Sequence, residues 1–353
     1  VNLDTLLAKC TETGDLTLDE IAYLLSLQEE KEVAMLLQAA DFVRAKECGD
    51  DVYIRGLIEF SNVCSRNCCY CGLRRDNRQI RRYRMSPEEI VDVSVKVLQK
   101  GIGTVVLQSG EDPWYTAEIM ADIIRRIKSK ASNAAITLCI GERTYDEYRI
   151  MREAGADRYL LRHETANPDL YRELHPDMSF QNRIRCLRDL KSLGYQVGAG
   201  SMVGLPSQTV EDMARDVVFL RELDVDMVGI GPFIPHPNTP LGNEQGGSLE
   251  MTLKMVAAVR IATRNTLIPA TTAIGSIDPD GREKALMAGA NVVMPNFTPL
   301  QYRVNYEIYP NKRCITEDPG LCYNCIQKRI TSIGRTIGKG PGHSFKMAIL
   351  QED

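Results

Sequence analysis

The sequence predicts a parallel (β/α)8 barrel of the closed TIM type, with helices before it and an extension after it. Three observations predict it. Eight short β-rich runs occur at about 52–60, 103–109, 135–140, 157–162, 196–201, 226–231, 267–272 and 290–295. Amphipathic helical segments separate them, so one strand–helix unit repeats at a period of roughly 30 residues. The repeat spans about 250 residues, the usual length of such a barrel. A seven-stranded open sheet has nearly the same periodicity, and the count of eight favours closure.

Taken in order, residues 1–48 are expected to be helical. Ile21, Leu24, Leu25, Val33, Leu36 and Leu37 recur at helical spacing with no strand-like run among them. The barrel occupies residues 49–300, and its helices have legible starts. Ser86-Pro87-Glu88-Glu89 reads as a capping box with Pro at the first helical position, and Ile90, Val93 and Val97 line one face. Thr144-Tyr145-Asp146-Glu147 is a second box. Helices end on Gly or Asp just before the next strand, as in LQKGIGTVVL and MREAGADRYLL. Residues 301–353 form an extension of the same structural unit. Active sites of this fold gather at the C-terminal strand ends. Those ends carry Cys64, Ser109-Gly110-Glu111, Gly141-Glu142, Arg162-His163-Glu164, Gly200-Ser201, Gly231-Pro232, Thr271-Thr272 and Asn296.

A hydrophobic content of 44% with 25% charged residues is that of a folded globular protein. A chain of 353 residues buries about three quarters of its unfolded surface, so it needs no disulfide staples. The net charge of −4 argues against nucleic-acid binding, and no apolar run approaches the ~20 residues of a bilayer span. The polar, acidic stretch from Val1 to Asp15 does not read as a signal peptide, and a cytoplasmic protein is expected. In a reducing compartment the 11 cysteines are thiols, metal ligands or catalytic groups. Cys10, Cys48, Cys69, Cys139 and Cys186 are scattered and read as small buried residues.

The other six form two groups. FSNVCSRNCCYCGLRRDN places Cys64, Cys68 and Cys71 in the loop after strand one, with Tyr70 before the last. Three thiolates this close can ligate three irons of a 4Fe–4S cubane. The fourth iron is left open, as an iron–sulfur enzyme needs if it is to act on a substrate rather than pass electrons on. Zinc is the competing reading, but zinc sites use paired Cys-x2-Cys knuckles and a fourth Cys or His, and no suitable partner lies nearby. Cys314, Cys322 and Cys325 follow the eighth run. They read as a second iron–sulfur site, 2Fe–2S or 4Fe–4S, with zinc or plain thiols as alternatives.

The Cys-x3-Cys-x2-aromatic-Cys loop resembles the signature of the radical S-adenosylmethionine superfamily. The resemblance implies that the open iron is chelated by the amino and carboxylate groups of S-adenosylmethionine. An electron from the cluster then cleaves the sulfonium to methionine and a 5′-deoxyadenosyl radical. Ser109-Gly110-Glu111 stands at the superfamily's Gly-Gly-Glu motif, which offers backbone acceptors to the methionyl ammonium. Glu164 matches the ribose-contacting position and Arg183 the carboxylate contact. Gly200-Ser201-Met202-Val203-Gly204 resembles the element beside the adenine. Ser207 replaces that element's usual Glu, so this last contact is not carried over.

Blocks such as YIRGLIEFSNVC, LQSGEDPW, GADRYLLRHETANP, GAGSMVGLP and IPATTA, with the segment from Tyr302 to Tyr309, resemble the HydE family of FeFe-hydrogenase maturases. The likeness runs along nearly the whole chain from about residue 50. It implies a role in building the two-iron subcluster of the hydrogenase. The implied substrate is an anionic iron complex carrying CO, cyanide and cysteine, delivered by the maturase HydG. The adenosyl radical attacks its sulfur, and the product moves toward the scaffold GTPase HydF. Arg55 on strand one, and Arg158, Arg162 and Glu164 on strand four, point inward by period two. Buried charges need partners, so they are expected to pair inside the barrel, with Glu59 among the partners, or to meet the anion. Arg162 and Glu164 are assigned to S-adenosylmethionine, Arg55 and Arg158 to the anion. Gln108, Thr137, Met227, Met294, Thr271, Thr272, Tyr306 and Tyr309 complete the implied cavity lining. The six arginines of residues 74–84 are expected to form a solvated loop over the cluster rather than a nucleic-acid patch, because no aromatic platform accompanies them. Two rivals stand beside this reading. One is a radical carbon-skeleton or sulfur-insertion enzyme of the methylornithine or biotin synthase type. The other is an iron–sulfur carrier or scaffold, which has no use for contacts from Ser109, Glu164 and Arg183.

Overall fold

A computed structural model describes residues 2–317 and 319–346. The N-terminal segment folds as three helices, α1 (Leu3–Glu12), α2 (Leu18–Ser26) and α3 (Glu30–Cys48). Strands and helices then alternate through β1 (Asp51–Ile54), β2 (Gly56–Ser61), α4 (Pro87–Gln99), β3 (Thr104–Ser109), α5 (Ala117–Lys130), β4 (Ala135–Cys139), α6 (Tyr145–Glu153) and β5 (Arg158–Leu160). The second half runs α7 (Pro168–Leu174), α8 (Phe180–Ser192), β6 (Gln196–Ala199), β7 (Met202–Val203), α9 (Val210–Glu222), β8 (Met227–Val228), β9 (Gly231–Pro232), α10 (Leu249–Thr263), α11 (Thr272–Ile277), α12 (Gly281–Met287) and β10 (Val292–Val293). The extension adds α13 (Leu300–Arg303), α14 (Pro319–Ser332) and β11 (Thr336–Ile337). Both capping boxes form, Ser86 with Glu89 and Thr144 with Glu147.

The strand ladders are parallel. β2-β3-β4-β5-β6-β8 form a six-stranded sheet, β10-β1-β11 a three-stranded one and β7-β9 a pair. Single-residue parallel bridges link Met227 to Leu267, Pro269 to Val292 and Leu57 to Asn296. The expected closed barrel is therefore recovered as an α/β fold around a parallel sheet, without one ladder that runs round and closes. The seventh run is the weak point. Pro269 has no N–H to offer a ladder, and Thr271-Thr272, expected at a strand end, instead cap and begin α11. One apolar core joins the strands and helices, and it takes in Leu6, Ile21 and Leu36 from the N-terminal helices and Ile326 and Ile330 from α14.

β11 pairs with β1, Asp51 opposite Thr336 and Val52 opposite Ile337. The residues after it fill the end of the sheet where the strands start. Thr104 donates to the Pro341 carbonyl at 2.7 Å. A Cβ on Gly338 or Gly342 would lie 2.6 or 2.4 Å from the Tyr53 ring, so these glycines let the segment lie flat against β1. Among the described residues no helix is long and apolar enough to cross a membrane.

Candidate functional site

The loop after β2 that carries Cys64, Cys68 and Cys71 is tied down from three sides. Ser65 N–H donates to the Glu111 carbonyl (2.9 Å), Cys69 N–H to Leu174 (2.9 Å) and Gly72 N–H to Ile308 (2.8 Å). Glycine makes the close approach possible. A Cβ on Gly110 would sit 2.8 Å from the Cys64 Cβ, and one on Gly72 would sit 2.1 Å from the Glu307 carbonyl. Arg82 staples the far limb by donating to the carbonyls of Asn62 (2.6 Å), Leu73 (2.8 Å), Arg74 (2.7 Å) and Asn77 (3.2 Å). Arg84 forms a bidentate pair with buried Asp112, at 2.7 and 3.0 Å. The arginine-rich stretch is thus partly a scaffold, and not wholly the solvated loop that was expected.

Burial raises all three cysteine thiols, Cys71 to about 12, and the neighbouring cysteines push Cys68 and Cys71 further up. Thiolates that repel one another need a cation to stay ionised, and iron supplies it. Among the described residues no three Cys, His, Asp or Glu groups converge on a single-ion position. A cubane instead takes one thiolate at each of three separate iron corners. The anchored loop and its mutually coupled thiols fit that donor set.

A charge network lies beside the loop. Arg66, between the first two cysteines, pairs with Glu111 and stands 3.6 Å from Glu142 Oε2. Glu111 Oε1 accepts from the Glu142 N–H at 2.8 Å. Gly141, at φ 82°, leaves the room for it: a Cβ there would meet the Glu111 Cγ at 1.9 Å. Glu142 in turn holds Arg183 Nε (2.8 Å) and Asn182 Nδ2 (2.7 Å). Arg66 escaped the sequence reading, and its only signal was its place between ligand cysteines. Cys139, read from the sequence as a small buried residue, stands beside the same groups. It ends β4 opposite Gln108, and its thiol, raised by burial to about 12, also feels Arg162, Glu164 and Arg183.

Buried polar atoms at these strand ends, Glu164 Oε2, Arg162 Nε and Ser201 Oγ, have no hydrogen-bond partner, and Thr137 Oγ1, lower on β4 opposite Arg158, has none either. Such atoms are costly unless something satisfies them, so the strand ends around Glu164 and Arg162 fit a site for a polar ligand. Glu164 sits at φ 68°, a conformation that non-glycine residues rarely take and that collects at ligand sites. Arg162 donates to the Ser201 carbonyl (2.6 Å) and lies 3.4 Å from Glu164 Oε2. Ser109 turns its hydroxyl to the Gly110 carbonyl (2.7 Å). Met202 shares an apolar cluster with Leu170, Leu205, Phe233 and Tyr70, which brings β7 against the cysteine loop. His163 is a structural residue, paired with buried Asp216 at 3.2 Å.

Tyr70 donates to His175 Nε2 (2.9 Å), and His175 Nδ1–H donates to the Tyr171 carbonyl (2.9 Å). This arrangement requires a neutral imidazole. Burial, and then Arg183, lower the His175 pKa from 6.5 to about 3. The unfolded chain therefore binds the extra proton between these values, so stability from this group is full above pH 6.5 and declines as pH falls toward 3. The slope is at most about 1.4 kcal/mol per pH unit. Urea unfolding of wild type and His175→Gln at pH 7 and pH 4 measures it. The variant is expected to lose less stability on acidification, and equal losses reject the assignment.

The inward charges divide into two levels. Arg158 opens β5 and Arg162 lies two residues past its end, so at up to ~3.3 Å per residue Arg158 sits as much as about 13 Å below Arg162. Fully buried there, Arg158 donates to Gln196 Oε1 (3.1 Å), Thr104 Oγ1 (3.0 Å) and the carbonyls of Pro341 and Gly342 (both 2.8 Å). The guanidinium expected to face an anion is bonded to the C-terminal segment instead. Arg55 donates to Met227 Sδ (3.0 Å) and the Gly342 carbonyl (3.3 Å), keeps Nε unpartnered, and is lowered in pKa by burial and by Arg158. Glu59 does not serve these arginines. It pairs with Lys312 of the extension and accepts from Asn296 Nδ2 (2.7 Å). The Lys312 ammonium lies 5.0 Å from the centre of the Tyr306 ring, and Gln108 donates to the Tyr306 hydroxyl (3.3 Å). Thr271 donates to the Ile230 carbonyl (3.2 Å), Arg282 reaches the Thr272 hydroxyl (3.4 Å), and Tyr309 bonds Ser276. Met294 packs with Met227, Leu267 and Val292.

Cys314, Cys322 and Cys325 line a cavity of about 550 Å³ together with Arg282, Arg313 and Arg329. A hydrogen bond from Cys322 pulls Cys314 down to about 6 against the cost of burial, with Arg282 assisting, and Cys322 rises in return. Three thiols in a cationic pocket fit an anionic iron–sulfur centre. Because they stand outside the strand–helix repeat, replacing all three by Ala is expected to lower the iron content and leave 5′-deoxyadenosine formation largely intact. Loss of that product in a folded triple variant would show that the triad belongs to the central chemistry.

The profile of the radical SAM superfamily matches residues 58–220. The FeFe hydrogenase maturase subunit HydE of Thermotoga maritima is 53% identical over 331 residues, 94% of each chain. The 3-methylornithine synthase of Methanosarcina acetivorans is 30% identical over 87% of each. Among solved structures, methylornithine synthase superimposes with a TM-score of 0.83 at 28% identity, covering 95% of this chain and 97% of that one. The maturase HydG from Carboxydothermus hydrogenoformans shares the fold, with a TM-score of 0.77 at 22% identity over 94% of this chain and 78% of its own.

Proposed function

The chain belongs to the radical S-adenosylmethionine superfamily, in its HydE family, and from that premise we propose that this enzyme acts in assembling the two-iron subcluster of an FeFe hydrogenase. A 4Fe–4S cluster on Cys64, Cys68 and Cys71, when bound, supplies the electron that cleaves S-adenosylmethionine to methionine and a 5′-deoxyadenosyl radical. The backbone at Ser109-Gly110-Glu111 receives the methionyl ammonium, and Arg183, oriented by Glu142, receives the carboxylate. Glu164 accepts from the ribose hydroxyls, Met202 flanks the adenine, and Gln108, Thr137, Arg162 and Met227 line the remaining wall. The substrate is an anionic iron complex of CO, cyanide and cysteine whose sulfur the adenosyl radical attacks. Arg55, with Nε free, meets it together with Thr271, Thr272, Tyr306 and Tyr309, while Arg158, sharing the Gly342 carbonyl with Arg55, holds the floor beside it.

The observation that carries this reading is 53% identity along 94% of both chains to a HydE, against 30% to a methylornithine synthase. The unpartnered atoms of Glu164 and Arg162 support the placement of S-adenosylmethionine. We read the strands as a closed barrel, and the segments 1–48, 49–300 and 301–353 as one unit. The bridges at Leu267 and Pro269 and the shared core support both. A second cluster, 2Fe–2S or 4Fe–4S, sits on Cys314, Cys322 and Cys325. HydG as supplier, HydF as acceptor and a cytoplasmic setting complete the proposal.

The experiment is maturation in vitro. Reconstituted protein added to HydG, HydF and apo-hydrogenase is expected to yield hydrogen evolution. Cleavage of S-adenosylmethionine with no maturation, but with formation of 3-methylornithine, would move the protein to the methylornithine type. Absence of 5′-deoxyadenosine would make it a carrier.

A further inference from the structure

We propose that the exposed basic rim of the cysteine loop, centred on Arg78 and Arg81, is the docking surface for an acidic one-electron carrier protein. The inference rests on reading Cys64, Cys68 and Cys71 as cluster ligands. Of the six arginines in residues 74–84, four are engaged. Arg74 donates to the Asn67 carbonyl (3.3 Å), and Arg75 pairs with Asp76 (3.2 Å) and Asp177 (3.6 Å). Arg82 is the staple and Arg84 holds Asp112. Arg78 and Arg81 are exposed, and among the described residues their side chains have neither a hydrogen bond nor an ion pair. Six arginines face one acidic residue in this stretch, on a chain whose net charge is −4.

The rim is held in place. Asn62 Nδ2 donates to the Arg81 carbonyl (2.8 Å), Asn77 Nδ2 to Gly72 (2.7 Å), and Arg74 N–H to Cys71 (3.0 Å). The two free guanidinium groups thus ride on backbone bonded directly to the segments that flank Cys64 and Cys71. Exposed apolar residues are tied to the same bonded framework. Val304 is 50% exposed and precedes Asn305, whose carbonyl accepts from the same Asn62 side chain at 2.7 Å. Trp114, 44% exposed, donates its N–H to Asp112, the partner of Arg84. Exposed arginines are among the residues enriched in protein-docking patches. On an acidic molecule, a local basic patch decides where an acidic carrier lands. The step it serves is balanced: the carrier loses one electron, the cluster gains it, and no bond is made or broken.

The test uses the reconstituted holoprotein, Arg78→Glu/Arg81→Glu, and flavodoxin as the acidic probe. Two quantities are read: the Kd for oxidised flavodoxin at low and high salt, and the rate of cluster reduction by reduced flavodoxin or by dithionite. The double variant is expected to raise Kd at least about tenfold, flatten its salt dependence, and slow reduction by flavodoxin in proportion. Reduction by dithionite should not change. Unchanged Kd and rate overturn the proposal. Equal binding of a random RNA, lost in the same variant, overturns it in favour of a general polyanion site. Should the double variant also fail with dithionite, Arg78→Gln/Arg81→Gln decides: it must weaken flavodoxin binding alone. If the wild type does not cleave S-adenosylmethionine with dithionite, the cluster assignment is wrong rather than the docking surface.

Discussion

Replacing Cys68 by Ala is expected to abolish 5′-deoxyadenosine formation altogether. Cys68 is the middle of three ligands, its thiol raised by burial and by Cys71 and Cys64, so it has no stable thiolate without iron. Two cysteines on one loop leave a cubane with two unheld corners, and the site where S-adenosylmethionine chelates is lost with it. Cys69→Ala is the control. Its sulfur reaches only the Glu173 carbonyl (3.4 Å), and its N–H anchor to Leu174 survives the substitution. Anaerobic reconstitution followed by product chromatography should show full cleavage in the Cys69 variant and none in the Cys68 variant. Cleavage persisting in Cys68→Ala would sink the ligand assignment.

The second large effect is on stability. Lys312→Met should cost about 3–5 kcal/mol, the usual penalty for breaking a buried ion pair. Glu59 is fully buried in β2, and Lys312 is the only cation paired with it among the described residues. Against a typical total of about 5–15 kcal/mol, a loss of that size brings the chain near unfolding at 37 °C. Glu59→Gln in the same chain removes the stranded charge and keeps a partner for Asn296, so the double variant should recover most of the loss. Urea denaturation of the two single variants and the double one gives the coupling energy. Additive losses would mean that the contact contributes nothing as a pair.

How much of this was legible in the sequence depended on range. Local signals read well: the capping boxes at Ser86 and Thr144 form, and six of the eight runs contain a strand of the six-stranded sheet. The seventh run forms only isolated bridges, at Leu267 and Pro269, because apolar composition says nothing about the ladder N–H that Pro269 lacks. The cysteine loop was plain, since its chemistry lies in one short stretch. Partners far along the chain were not. Lys312 meets Glu59 across 253 residues, and Gly342 meets Arg158 across 184. Period two gave the inward direction and the deeper place of Arg158 below Arg162, yet it could not show that the C-terminal segment takes up the Arg158 guanidinium. Arg66 was hidden differently, between cysteines with a stronger motif.

β1 draws both of its neighbours from late in the chain, Val292–Val293 on one side and Thr336–Ile337 on the other. At a synthesis rate of about 5–20 residues per second, roughly 15–55 s pass between the emergence of β1 and that of β11. Through that interval the first strand has a bare edge, the kind of surface on which newly made chains stick to one another. Closing so long a span is also slow, because the entropy of bringing distant segments together must be met before any contact rewards it. The soluble yield of this protein in an expressing cell is therefore governed by the pace of translation and by what shields that edge meanwhile, as much as by how well the finished molecule holds together.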